Sequence, residues 1–395
     1  MRGNLLFIHM KRHNTALLAA IFPLVALGAP YTPADDAVVV ERLPFRRADP
    51  AAAELRQLRA AAAARPEDPA TASALARRYF ELAMAEGDPR YVGYAEAALR
   101  PWAGKEAPAE VSFARGLLRQ YRHDFSGALQ DLQIAAQRDP GHVGAHAWRA
   151  AIFMVGADYA AAREECRALE ALASELISAG CRTYVDATTG NARSAYRELS
   201  EALAQRPDAA PEIRLWVLTR LAEMAWRLGD AAAAERHFRD ALALGVTDNF
   251  LLAAYADFLL EQGRAQEVVA LLKTWTRADT LLLRLALAAK ALRLPEAQGH
   301  VKSLDDRFAA SALRGERLHL AEEARFLLDL KGDPKAALAA ALENWKTQRE
   351  PRDAAVLLEA ALAAREPKAA APALRWLEES RFESPRLRRL AAQLK

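Results

Sequence analysis

Two cysteines, two closely spaced histidines and scattered carboxylates are the residues of this 395-residue chain whose types could support chemistry. Cys166 and Cys181 are too far apart for a redox CxxC pair. In an exported protein such a pair is expected to form a disulfide; the alternative is two independent buried thiols. His142 and His146, four residues apart, would share one helix face. No third ligand lies near them in sequence and there is no HExxH, so they read as a solvated pair, and no metal site is expected. There is no glycine-rich phosphate loop and no GxSxG elbow. A buried Glu acting as general acid would need a compact non-repeat domain, as in a few solenoid cell-wall lytic enzymes, and no stretch here is long enough to make one. The chain therefore reads as non-catalytic, without cofactor or metal.

The elements that must carry these side chains are helical. Ala, Leu, Arg and Glu crowd the sequence, and β-branched residues never form alternating runs. The first segment reads differently. Arg2, Lys11 and Arg12 precede an apolar run, TALLAAIFPLVALG, at 15–28. Ala26 and Gly28 stand at the −3 and −1 positions of a cleavage site. The expectation is a signal peptide over 1–28, with initiation at Met1 or Met10 and a mature chain beginning near Ala29. The competing reading, a retained anchor, meets a run shorter than the roughly 20 residues of a membrane span and broken by Pro23. Taking the three basic residues of 1–28 from the 54 in the chain leaves 51, against 51 acidic ones. Such a balanced surface has no general attraction for nucleic acid or anionic membrane.

Short breaks recur along the rest: Gly87-Asp88, His123-Asp124, Ala157-Asp158, Gly190-Asn191, Gly229-Asp230, Gly263-Arg264, one near Pro295-Glu296, Gly332-Asp333 and Glu366-Pro367. Their second residues are separated by 36, 34, 33, 39, 34, 32, 37 and 34 positions. Each break divides two amphipathic segments. Gly or another small residue ends the first, and Asp or Asn caps the second. Prolines such as Pro140 and Pro207 mark further breaks between units.

This pattern resembles the tetratricopeptide repeat (TPR) family, whose period is about 34 residues. In the second unit Gly116 stands at the small position of helix A, Asp124-Phe125 at the turn, Ala128 at the small position of helix B, and Pro140 closes the unit. In the fifth, Ala222, Gly229-Asp230, Ala234, Phe238 and Ala241 fall at the family's spacing. The resemblance covers roughly residues 50–380 and is weakest in the seventh and ninth units. It implies an all-α fold, a right-handed TPR superhelix (α-solenoid) of about nine helix-turn-helix repeats. The domain reading is signal peptide 1–28, extended linker 29–49, solenoid 50–384 and C-terminal capping helix 385–395.

The resemblance also implies a concave groove lined by the A helices. Counting back from each turn assigns to it Phe113, Gln120 and Tyr121 of the second unit, Trp216, Glu223, Trp226 and Arg227 of the fifth, and Phe250, Asp257 and Glu261 of the sixth. Trp216 and Trp226 would border one face, and Glu223 could pair with Arg227 four residues on. Aromatic and charged residues together suit a protein-binding surface. Cys166 would fall on helix B of the third unit and Cys181 on helix A of the fourth. The functional expectation is a protein-interaction scaffold of the bacterial cell envelope, periplasmic or secreted. It would hold a peptide or protein segment, bind no nucleic acid and stay out of the membrane after signal cleavage. An accessory subunit of a secretion or polysaccharide-export machine is the alternative.

Overall fold

The structure, a computed structural model, describes residues 50–103, 107–316 and 318–394. The segments read as signal (1–28) and linker (29–49) lie outside the described residues, as does Lys395. Among the described residues there are twenty α-helices and no strand. After α1 (Pro50–Ala64) come nine helical hairpins, each a helix A followed by a helix B. They are α2 (Pro69–Glu86) with α3 (Arg90–Leu99), α4 (Ala109–Tyr121) with α5 (Phe125–Arg138), and α6 (Val143–Val155) with α7 (Tyr159–Leu172). Next are α8 (Glu175–Thr188) with α9 (Ala192–Ala204), α10 (Pro211–Arg227) with α11 (Ala231–Ala243), and α12 (Asn249–Glu261) with α13 (Ala265–Leu272). The last three are α14 (Asp279–Ala291) with α15 (Ala297–Leu313), α16 (Leu320–Phe326) with α17 (Pro334–Trp345), and α18 (Pro351–Ala364) with α19 (Ala371–Ser380). α20 (Pro385–Gln393) follows. The whole is an all-α superhelix.

Local chemistry sets the hairpins. The side chains of Asp124, Asp158, Asp230 and Asp333 accept the amides of Gly127, Ala161, Ala233 and Ala336, satisfying donors that the first turn of helix B leaves without partners. Replacing one such cap by Ala typically costs about 1 kcal/mol. The preceding turn residue is left-handed. Glycine takes that conformation at 190, 229, 263 and 332, whereas His123, Ala157, Arg293 and Arg365 take it with a side chain. In the seventh unit the turn sits at Arg293, two residues before Pro295, and α15 then runs through Gly299 without interruption.

Small residues let the paired helices approach. Ala128, Ala222, Ala234 and Ala241 are wholly buried, and a Cβ on Gly116 would lie 2.8 Å from Leu132 Cγ. Units two, three and four repeat an ion pair across the hairpin: Arg115 with Asp131, Arg149 with Glu165, Arg182 with Glu198. Cys166 of α7 and Cys181 of α8 form a disulfide, with Cα atoms 5.5 Å apart. His142 and His146 are not a solvated pair. His142 caps α6 by accepting the Ala145 amide through Nδ1, and His146 Nδ1 lies 2.7 Å from Glu165 Oε2. Glu165 is 19 residues away in sequence, and it is the hairpin that brings it alongside.

The coil winds far enough for its last unit to meet its early ones. The Gln348 amide donates to His123 Nδ1 at 3.2 Å, the Arg349 amide to the Val155 carbonyl at 2.8 Å, and the Trp376 indole to the Tyr159 hydroxyl at 2.7 Å. The Ala192 amide donates to Glu383 at 2.6 Å. Arg227 lies over the Phe382 ring at 4.5 Å, and Arg386 stands 3.8 Å from Glu261. Units two to six thus each present the end of helix A, or the turn after it, to the loop before α18, to α19 or to the segment after it.

Candidate functional site: the inner wall of the coil

Side chains from four non-consecutive helices meet inside the coil. The Arg220 guanidinium of α10 is held between the rings of Tyr184 (α8) at 4.3 Å and Phe250 (α12) at 4.7 Å, and Arg352 of α18 covers Phe250 at 5.7 Å. Such guanidinium–ring contacts contribute about 0.5–2 kcal/mol each, more where water is excluded. Arg220 bonds Glu223 at 2.8 Å, while its Nε has no partner. Arg352 bonds Glu350 at 2.7 Å and keeps half of its side-chain surface open to water. Burial pushes the Tyr184 phenol well above its ordinary range.

Arg227 differs from its neighbours. It shares the interior with Glu223, yet Glu223 bonds Arg220 instead, three residues back along the helix. Arg227 has an aromatic ring over its guanidinium, a buried Nε without a partner, and no carboxylate within ion-pair distance among the described residues. Burial pulls its pKa below the usual guanidinium value, against the opposing field of Glu223. A half-buried cation whose buried N–H lacks an acceptor is costly, and an anionic or carbonyl-rich ligand would relieve that cost.

Farther along the wall, Asp257 is fully engaged by Arg284 at 2.6 Å and Arg325 at 2.5 Å. Burial works against its ionisation, but the two guanidiniums outweigh it and hold the carboxyl at about 2. Asp353, which bonds the Glu350 amide in the capping box at the start of α18, goes the other way: burial raises it to about 7 despite adjacent Arg352.

The groove residues expected from sequence divide into three groups. Glu223, Arg227, Phe250 and Asp257 share the inner wall. Phe113, Trp216 and Trp226 pack between helices. Phe113 is 7% exposed against His142 and Gly144, Trp216 lodges against Gly180, and Trp226 meets Phe258 edge-on at 5.7 Å. Gln120 and Tyr121 lie partly buried at the end of α4, where burial lifts the Tyr121 phenol to about 12. Glu261 is exposed at the mouth, facing Arg386. Sequence reasoning missed Tyr184, Arg220 and Arg352. The signal available was Arg220 itself, three residues before Glu223 on the same helix face.

Among the described residues no group of three His, Cys, Asp or Glu is placed to hold a metal ion. No described helix is long and apolar enough to cross a membrane.

No family model and no curated protein matches the chain. Solved structures do. A chain of the APC/C hetero-tetramer Cut9–Hcn1 superposes with a TM-score of 0.50 at 13% identity, over 82% of this chain and 62% of that one. This chain therefore spans less than two thirds of that neighbour. Yeast Tom70 matches at 11% identity and a TM-score of 0.30, over 87% of this chain and 92% of that one. The TPR domain of P58(IPK) matches at 15% identity and a TM-score of 0.21, with the same two coverages. At such identities the likeness concerns fold alone, and it agrees with the hairpin period and the small residues at the hairpin crossings: the chain is a TPR-like, all-helical repeat protein.

Proposed function

We propose that this protein is a non-catalytic interaction scaffold that holds a segment of a partner protein against the inner wall of the coil. The observation carrying this reading is Arg227, a half-buried guanidinium whose buried Nε has no partner and which has no carboxylate beside it, set near the Tyr184–Arg220–Phe250 stack. Aromatic and arginine side chains are the types that dominate binding energy at protein interfaces. The neighbour in the Cut9–Hcn1 hetero-tetramer carries a similar fold within a protein assembly, which supports the reading by analogy.

The reading includes export. The segment 1–28 has the form of a signal peptide, and the Cys166–Cys181 disulfide suits an oxidising compartment such as the bacterial periplasm. N-terminal sequencing of the protein recovered from periplasm should begin near Ala29. Recovery of residues 10–28 in a membrane fraction would replace the exported form by an anchored one.

The binding test places a photo-crosslinking residue at Arg352, half-open inside the coil, and another at Leu313, 90% exposed on α15. A discrete adduct from position 352 and none from 313 is expected, and Arg227→Gln should weaken it. Adducts of equal yield from both positions would remove the inner wall as the binding surface.

A further inference from the structure

A second cavity lies where the last unit meets the third and fourth, on the seam of the coil rather than on its inner wall. It measures about 720 Å³ and is lined by the turn between α6 and α7, the start of α7, the turn after α8, and the α17–α19 region. That volume falls within the range of ligand sites, ~300–1,000 Å³.

Its lining is one-sided in charge. Four guanidiniums, Arg163, Arg349, Arg375 and Arg381, face a single lining carboxylate, Glu379. Arg163 is occupied by Thr189 at 2.6 Å and, more distantly, by Asp186 at 3.5 Å. Arg349 donates Nε to the Trp345 carbonyl at 3.2 Å. Among the described residues, Arg375 and Arg381 have no acidic partner. Arg349, Arg375 and Arg381 are exposed at the rim, while Trp345 and Trp376 are buried beneath, their rings 6.0 Å apart. The Tyr159 hydroxyl accepts from Trp376 and has no acceptor for its own proton among the described residues. Burial lifts that phenol to about 12, so it stays a neutral donor.

We infer that this seam cavity binds a carboxylate-rich protein segment, its acidic side chains on the guanidiniums of Arg375, Arg381 and Arg349 and an apolar side chain over Trp376. The planar guanidinium fork matches carboxylate geometry with two parallel hydrogen bonds. Phosphate would use the same forks, but a peptide would also cover the small apolar surface that Trp345 and Trp376, 7% and 6% exposed, leave open at the floor. The cavity draws its walls from units three, four, eight and nine, so an occupant would bridge them and hold the coil closed. A ligand that binds only the closed form raises its stability by mass action.

The probe is a fluorescein-labelled hexaglutamate peptide ending in Leu, titrated into the full chain and read by fluorescence anisotropy, with unlabelled pyrophosphate and a hexalysine analogue as competitors. Saturable binding is expected, weakened by added salt, displaced poorly by pyrophosphate and not by hexalysine. The double variant Arg375→Glu/Arg381→Glu should lose about ten-fold or more in affinity. Arg388→Glu/Arg389→Glu, the same charge change on the exposed side of α20, should lose far less. Circular dichroism confirms folding, and Arg375→Gln/Arg381→Gln serves if charge reversal unfolds the last unit. Absence of saturable binding, or equal loss in both double variants, overturns the site. Displacement by pyrophosphate at equal concentration overturns the assignment to a protein segment.

Discussion

Gly180 and Gly299 both sit inside helices, and the structure gives the same substitution opposite signs at the two sites. Ala is about 1 kcal/mol better than Gly in a helix interior. At Gly299, on exposed α15, an added Cβ meets nothing within 4 Å. Gly299→Ala should therefore stabilise the protein by about 0.5–1 kcal/mol. At Gly180, on α8, the same Cβ would lie 2.4 Å from Trp216 Cζ3 and 2.5 Å from Cη2. The indole is rigid and half-buried among Leu176, Val217 and Leu221, so it must rotate or push α8 and α10 apart. Overpacking of this kind costs about 1–3 kcal/mol, which exceeds the propensity gain in most of its range. The expected net is a destabilisation of up to about 2 kcal/mol. Urea unfolding followed by helical circular dichroism reads the sign. Amide exchange in α8 and α10 localises it, because a repeat array need not unfold in one step. Shortening the indole by Trp216→Leu should remove most of the penalty in the double variant. If Gly180→Ala stabilises as Gly299→Ala does, Trp216 is not lodged against α8 and belongs with the binding surface.

Trp226→Ala should lower the unfolding midpoint by an amount equivalent to about 1–3 kcal/mol, since the ring packs on Phe258; an unchanged midpoint would return Trp226 to the binding wall. Thiol labelling of denatured, unreduced protein should find no free cysteine. Reducing the disulfide should cost at most about 3 kcal/mol for its 15-residue separation. Burial holds His123 at about 4, below its ordinary 6.5. The folded form thus binds fewer protons than the unfolded chain, and stability should fall as pH drops from about 6.5 to 4, with α18–α20 losing exchange protection first. Asp257, held near 2, adds stability that is present above about 3.8 and lost as pH falls toward 2; Asp257→Asn should flatten that lower limb of the stability profile.

The hairpins were legible because their signals are local. A left-handed residue followed by Asp reads directly as a turn and a cap, and the small residues at 116, 128, 222 and 234 recur at the repeat's own spacing. The hairpin ion pairs were legible in principle too, since Arg115, Arg149 and Arg182 are 34 and 33 residues apart and their partners keep the same interval. The inner wall was legible only by halves. Counting back from a turn identifies which helix face is concave, but not which aromatic leans sideways into a neighbour. Trp216 leans because α8 offers the bare backbone of Gly180, a feature one unit away. Arg352 and Phe382 were illegible because they reach the wall from the far end of the chain, and no periodicity encodes how many units complete a turn.

That closure changes what kind of object the chain is. An open array of repeats is a one-dimensional stack in which each unit is stabilised by its nearest neighbours and the ends fray independently. Here hydrogen bonds join residues 225, 217 and 191 positions apart in sequence. Such contacts form only after an entropic closure that local pairing does not repay, so they raise the contact order of an otherwise local fold. Folding should then proceed in two regimes, a fast build-up of hairpins and a slower docking of the last unit. Deleting residues from 351 onward should do more than remove one repeat: it would take away the partners of Tyr159, Ala192, Arg227 and Glu261 and turn a closed coil into an open spring, loosening units three to six at once.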